Sequence, residues 1–200
     1  MKTILKIFGS SAFISFLLIL PFIIIEVVNR RSFNEEFPVM LFLVMWLNLF
    51  AFSLILLPIV QGRRTVNHDT ADPVPTHGKT LLTTPKWAAL ISVVLFLSPG
   101  ILFLLESLGW VSLQYLFNGP DPEQPYLPGQ LMALASFSIP VAAGIIAGRP
   151  IVSTRQAGGS LFAHPINLII VAVILSALAY GLGSLIIDQW PCFIGVPMCD

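Results

Sequence analysis

Five long runs of apolar residues divide the chain, and short polar segments separate them. The runs lie at about residues 5–28, 37–60, 87–110, 131–148 and 166–187. A helix needs about 20 mainly apolar residues to cross a hydrocarbon core of ~30 Å. Lipid offers no partner to an unpaired backbone group, so continuous runs of this length indicate helices. The pattern predicts an all-α fold, a polytopic bundle of five transmembrane helices that forms a single membrane domain over 1–200.

Composition supports a membrane protein. Hydrophobic residues make up 56% of the chain and charged residues 10%, whereas soluble domains carry roughly 25% charged residues. Lysine plus arginine balance aspartate plus glutamate at ten each, so no overall field attracts nucleic acid. The first run is longer than the apolar region of a signal peptide, about 7–15 residues, and lacks a small-residue cleavage site. We expect a retained first helix and the lipid bilayer as the immediate partner.

The basic residues predict an orientation. Eight of the ten lie in the N-terminus, the linker 61–86 and the segment 149–165, which five alternating spans place on one side. The other side holds only Arg30 and Arg31. Because basic segments stay cytoplasmic, the N-terminus is predicted inside and the C-terminus outside. The expected location is the bacterial inner membrane.

Two segments on the outer side have distinctive compositions. The outer loop 111–130 is rich in proline. Residues 118–129, which hold four prolines, are expected to be extended and stiff, and residues 111–117 are expected to lie along the membrane interface. The tail 188–200 carries both cysteines, Cys192 and Cys199, in a compartment that permits disulfides in bacteria. A small disulfide loop is the first interpretation, and free thiols or metal ligands are the alternatives. A metal site would need further ligands that the tail does not supply.

Two strings near the ends of the chain carry a resemblance. They are the N-R-R-x-F-N turn within residues 26–35 and the P-C-F-x-G-V-P-x-C-D ending within 188–200. In these strings the chain resembles short bacterial integral membrane proteins. The likeness covers the first two spans and the last span with its tail, and spans three and four have no counterpart. The resemblance implies that the two end motifs form one structural unit, and it implies no activity.

Polar residues recur near the middle of the spans, one in each. Counted at 1.5 Å per residue, those at the midplane are Ser15, Asn48, Ser98, Ser138 and Ser176. Prolines 99 and 140 stand close to them and are expected to break two helices and free carbonyl groups. One hypothesis is a site for a small polar solute, as in transporters with broken helices. The other is hydrogen bonding between helices or to a serine's own helix.

Two acids fall within the predicted spans, towards the outer side. Glu26 precedes Arg30 by four residues, the favourable order for an ion pair on one helix face. An interface pair with Arg30, with Glu106 reaching water, is one interpretation. A cation or proton entry site formed with Asp188 is the other. Contact of Arg30 or Arg31 with Glu106 would tie the first hairpin to the third span.

Small residues at helical spacing predict close helix contacts. Gly144 and Gly148 lie four apart in span four, and Ala177 and Gly181 lie four apart in span five. Such spacing lets two helices approach closely. We expect these spans to pack against each other or against a neighbouring subunit.

Catalytic signatures are missing from the sequence. It has no Gly-rich phosphate loop and no G-x-S-x-G motif, and no acid, histidine or cysteine lies at midplane depth. The linker residues His68, Asp69, Asp72 and His77 lack an ordered metal-binding spacing. We therefore expect no enzyme, no cofactor and no metal.

The leading hypothesis is a non-catalytic accessory or assembly subunit of a membrane complex. It would act through helix–helix and outer-face contacts, with another membrane protein or a second copy as its partner. The alternative is a small-solute transporter or channel component that uses the midplane residues.

Overall fold

The computed structural model describes residues 2–33, 38–61, 84–119 and 126–194, and within these ranges the chain is helical without a strand. The helices are α1 (Lys2–Phe33), α2 (Val39–Gln61), α3 (Pro85–Ser107), α4 (Leu113–Asn118), α5 (Leu127–Gln156), α6 (Pro165–Asp188) and α7 (Trp190–Phe193). A 3₁₀ turn, Leu161–Ala163, precedes α6. By length and composition α1, α2, α3, α5 and α6 can each cross a membrane. The predicted all-helical, multi-pass fold is confirmed at this level.

Helix α5 is longer at both ends than the apolar run that predicted it. It begins at Leu127, with Pro128 in its first turn, where the missing proline N–H has no intrahelical acceptor to lose. It also continues beyond residue 148 to Gln156, through Pro150. Part of the segment 149–165, expected to be a connection, is therefore helix.

The expected breaks at Pro99 and Pro140 are wrong, because α3 and α5 run through these prolines without interruption. A proline removes the hydrogen bond to the carbonyl four residues earlier, which for Pro99 is the carbonyl of Leu95. The hydroxyl of Ser98 donates to that oxygen at 2.8 Å. A side chain on the same turn thus satisfies the freed carbonyl, as happens in other membrane helices.

The contacts divide the chain into two units. Unit 1 comprises Met1–Gln61 and Leu175–Asp200, and in it α1 packs on α2 and α7 packs on α1. Its core is built from large apolar side chains. The buried members are Ile19, Phe42, Met45 and Phe193, and Leu182, Leu185 and Ile186 of α6 pack against them.

Unit 2 comprises Gly62–Ile174, and in it α3 packs on α5. The buried side chains of these two helices are mainly small, including Ala88, Ser92, Ala143 and Ala147. Small residues let helix backbones approach closely. The short helix α4 packs on the start of α5, where a Cβ on Gly129 would overlap the carbonyl oxygen of Phe117. Only glycine fits at that corner.

Candidate functional site

The two midplane serines of unit 2 are used within their own helices. Ser98 donates to Leu95 O, the carbonyl freed by Pro99. Ser138 lies on an exposed face of α5, and its hydroxyl donates to Leu134 O at 2.7 Å. Serine in a helix commonly bonds back to the preceding turn in this way. Neither hydroxyl needs a solute to satisfy it.

One of the two midplane serines of unit 1, Ser15, belongs to a buried group of three serines. Ser15 on α1 is fully buried, and its hydroxyl donates to Ser11 O at 2.7 Å. It also lies 3.4 Å from the hydroxyl of Ser53 on α2. Ser11 is fully buried as well, and its hydroxyl has no hydrogen-bond partner in the structure. Sequence reasoning missed Ser11 and Ser53, although the four-residue spacing of Ser11 and Ser15 is a small-residue packing signal.

Asn48 is the other midplane residue of unit 1 with a defined environment. Its side chain is half-buried, and its Oδ1 atom is buried with no hydrogen-bond partner. Its Nδ2 atom would lie 3.8 Å from a Cβ on Gly181 of α6. Ser176, one of the midplane candidates, is exposed on α6. The structure therefore places Asn48 against a predicted packing residue.

The two described acids of unit 1, Glu26 and Asp188, differ in exposure. The side chain of Glu26 is 1% exposed, whereas that of Asp188 is exposed. A buried carboxylate costs several kcal/mol unless charged or hydrogen-bonding groups compensate it. The side chains of Arg30 and Arg31 lie outside the described residues, so the ion pair with Glu26 stays a prediction.

Glu106, the one acid among the described residues of unit 2, lies in the last turn of α3, just before the α3–α4 corner. It is exposed, and its Oε1 atom accepts a hydrogen bond from Leu113 N at 3.2 Å. Leu113 is the first residue of α4, where a negative charge is favourable next to the helix dipole. Ser112 caps the same helix by accepting from Tyr115 N. The described contact gives Glu106 a capping role.

The two end strings of the sequence meet in unit 1. Asn29 Nδ2 donates to Phe193 O at 2.6 Å, and the Phe193 ring lies 5.3 Å from that of Phe22. Phe193 is 3% exposed, whereas Trp190 and Ile194 are 51% and 61% exposed. We call residues 190–194 the C-terminal hook, because it turns back onto α1.

The tail 188–200, which includes the hook, is predicted to carry a disulfide. Cys192 lies in α7 and is half-buried. Cys199 lies outside the described residues, so the Cys192–Cys199 bridge stays a prediction. The linker residues His68, Asp69, Asp72 and His77 also lie outside them. Among the described residues, no three side chains of His, Cys, Asp or Glu come together as a metal site.

The predicted packing residues have different surroundings in the two units. Gly144 and Gly148 are buried in unit 2, on the helix that packs against α3. Ala177 and Gly181 are exposed on α6. Gly144 and Gly148 thus lie in a helix contact within unit 2. Ala177 and Gly181 are exposed, with Asn48 close to Gly181.

A cavity of about 130 Å³ lies in unit 2 where α3 and α6 begin. Its polar lining comes from Lys86, His164 and Asn167. The ring Nε2 of His164 is 2.9 Å from Thr154 Oγ1, and Asn167 Nδ2 donates to Ala147 O at 3.4 Å. No sequence pattern singled out this group, because Lys86 is far in the chain from His164 and Asn167.

Comparison with protein families, with curated proteins and with solved structures finds no match. The proposals below therefore depend on geometry and sequence pattern alone.

Proposed function

We propose that the chain is a non-catalytic multi-pass membrane protein that acts through contacts, as an accessory or assembly subunit of a membrane complex. The observation that carries this proposal is the C-terminal hook. Phe193 is buried and its carbonyl is bonded to Asn29, while the neighbouring Trp190 and Ile194 are exposed. An apolar surface that the fold holds in place just beyond a span is typical of a docking site.

The charge pattern predicts which side of the membrane this surface faces. With eight of ten basic residues on the opposite side, the positive-inside rule directs the N-terminus to the cytoplasm and the hook to the outer face. We place the protein in the bacterial inner membrane on the same basis. A partner that docks on the hook would then approach from the outer side.

The exposed small residues of α6 favour a second contact, within the bilayer. Ala177 and Gly181 are exposed, although the matching pair on α5 is buried. Helices associate in lipid through close packing at such small residues. A helix of a partner membrane protein, or of a second copy, would fit against this face.

A solute transporter is the second candidate, and the midplane residues favour it less. The hydroxyls of Ser98 and Ser138 bond to carbonyls of their own helices, and α3 and α5 are uninterrupted. These two hydroxyls are therefore already engaged and do not need a solute. The transporter hypothesis is supported by two buried atoms without a hydrogen-bond partner in the structure, Ser11 Oγ and Asn48 Oδ1.

Site-specific photo-cross-linking in the native membrane tests the proposal. A photoreactive amino acid replaces Ile194 in the hook or, as a control, Leu108, which is also exposed after a span. We expect one protein adduct of defined mass from position 194 and only lipid adducts from position 108. Lipid adducts alone from both positions would contradict docking at the hook.

A further inference from the structure

The cavity of unit 2 joins two helix starts that are distant in the chain. Its walls come from the first turn of α3 and from the turn that leads into α6. The lining residues are Pro85, Lys86, Ala89, Ala163, His164, Pro165, Ile166 and Asn167. One part of the lining is apolar, and the other part carries hydrogen-bond donors. Such a mixture suits a ligand with a polar group attached to an apolar body.

The described charged residues at the end of unit 2 that contains the cavity are basic. Lys86 lines the cavity, and Arg149 and Arg155 lie in the last part of α5, whose Thr154 contacts His164. Within the described part of unit 2 the one acid is Glu106, near the far end of α3 and roughly 30 Å from Lys86 at 1.5 Å per residue. An anion at this end therefore meets cations without a competing carboxylate from the described residues.

Two of the lining side chains keep hydrogen-bonding capacity for a ligand. The contact with Thr154 holds the His164 ring through Nε2 and leaves Nδ1 available. Asn167 is 2% exposed, and its contact with Ala147 O uses one of its two amide hydrogens. The second amide hydrogen of Asn167 can therefore be donated to a ligand.

The backbone adds donors at the same place. Helices α3 and α6 begin at Pro85 and Pro165, and the first N–H groups of a helix have no intrahelical acceptor. The positive ends of both helix dipoles lie at this end of the unit, which favours a negative charge. These donors reinforce the side chains of Lys86, His164 and Asn167.

We infer that this cavity binds a phosphate group, carried by an anionic phospholipid whose headgroup enters beside Lys86. Basic pockets between membrane helices are known sites for anionic headgroups. The apolar lining by Ala89, Ala163 and Ile166 suits the first methylene groups of the acyl chains of a lipid, which free phosphate lacks. This site is independent of the hook and of any partner that docks there.

Lipid binding to the purified full-length chain provides the test. Phosphatidylglycerol is titrated into detergent solution, and bound lipid is counted by native mass spectrometry for the wild type and for K86Q, K86R and K6Q. We expect about tenfold weaker binding for K86Q, which corresponds to ~1.4 kcal/mol. K86R restores binding, and K6Q, which removes an exposed lysine of unit 1, leaves it unchanged. Equal binding by the wild type and K86Q would overturn the site.

Two further ligands identify the source of the phosphate. Phosphatidylcholine, which has no net charge, should bind at least tenfold more weakly than phosphatidylglycerol, and equal binding of the two would contradict an anion site. Inorganic phosphate should compete only at millimolar concentration. If it binds more tightly than the lipid and K86Q abolishes that binding, the phosphate chemistry is supported and the lipid source is wrong.

A second variant guards against a folding artefact. H164Q retains a side chain that can bond Thr154 and removes the ring, so we expect weaker phosphatidylglycerol binding with an unchanged melting temperature. Lys86 is exposed, so K86Q should also melt like the wild type. Weaker binding only in variants with a lowered melting temperature would overturn the inference.

Discussion

The two units pack their helices with different kinds of side chain. In unit 1, large residues such as Phe42, Met45 and Phe193 interlock, and hydrogen bonds such as that from Asn29 join segments distant in sequence. In unit 2, alanine, glycine and serine line the contact between α3 and α5. Lipid tails are as apolar as the side chains, so helices associate through packing and hydrogen bonds rather than by leaving water. Added atoms should therefore damage unit 2, and removed groups should damage unit 1.

The α4–α5 corner is the helix contact that should tolerate an added side-chain atom least. Gly129→Ala should destabilise the protein by about 3 kcal/mol, because the new Cβ meets the backbone carbonyl of Phe117, which cannot rotate away. The measurement is the midpoint of unfolding in SDS titrations. Gly100→Ala is the matched control, since no atom lies within 4 Å of its Cβ position. Equal midpoints for the two variants would show that the corner tolerates a side chain.

The small-residue contact itself should be nearly as sensitive. Ala147→Leu inserts three carbons into the buried side of α5, and overpacking of this kind costs about 1–3 kcal/mol. Ala142→Leu adds the same atoms on an exposed face of the same helix and should leave the SDS midpoint unchanged. A similar loss in both variants would mean that helix propensity or insertion, rather than packing, sets the effect.

Hydropathy predicted the five spans and the small-residue face of α5, because both are local patterns in the sequence. It did not predict which faces of α1 and α2 meet. Helices that are apolar on all sides lack the polar stripe that reveals an outward face. The four-residue spacing of Ser11 and Ser15 marks a packing face of α1, but no pattern in α2 pairs that face with Ser53. The Asn29–Phe193 bond joins residues from opposite ends of the chain, and only the resemblance of the end strings linked them.

Proline reasoning failed for a local reason. The rule that proline disrupts a helix considers the lost N–H, but not the hydroxyl one residue earlier that replaces it. Ser98 supplies that hydroxyl for Pro99. The dipeptide Ser-Pro was visible in the sequence, and its hydrogen bond depends on a rotamer that the sequence does not specify.

Removal of one hydrogen bond should loosen unit 1 at the hook. Asn29→Leu eliminates the donor to Phe193 O, which we expect to cost about 1 kcal/mol. Hydrogen exchange should accelerate in residues 190–194 and remain unchanged in α3 and α5. Asn48→Leu is the control in the same unit, because its Oδ1 has no hydrogen bond to lose. Unchanged exchange in Asn29→Leu would contradict the anchoring of the hook.

The smallest expected effect is the difference in stability between alanine substitutions at two serines of unit 2. Ser98→Ala leaves the carbonyl freed by Pro99 without a partner and should cost ~0.6 kcal/mol, the average for hydrogen bonds in membrane helices. Ser138→Ala should cost less, because its acceptor Leu134 O keeps the backbone hydrogen bond of the helix. Melting temperatures in detergent compare the two. A larger loss for Ser138→Ala would show that its hydroxyl has a further role.

The central claim is that the chain works as part of a complex through an exposed hook held in place by α1. Native mass spectrometry after purification in mild detergent tests it most directly. For the wild type we expect the 21.9 kDa chain bound in integer stoichiometry to a second polypeptide. The complex with the second polypeptide should be absent for W190S/I194S and present for the control W110S/L108S, which removes a similar pair of exposed side chains. A homo-oligomer without other protein, together with solute flux in proteoliposomes, would contradict the claim and favour the transporter.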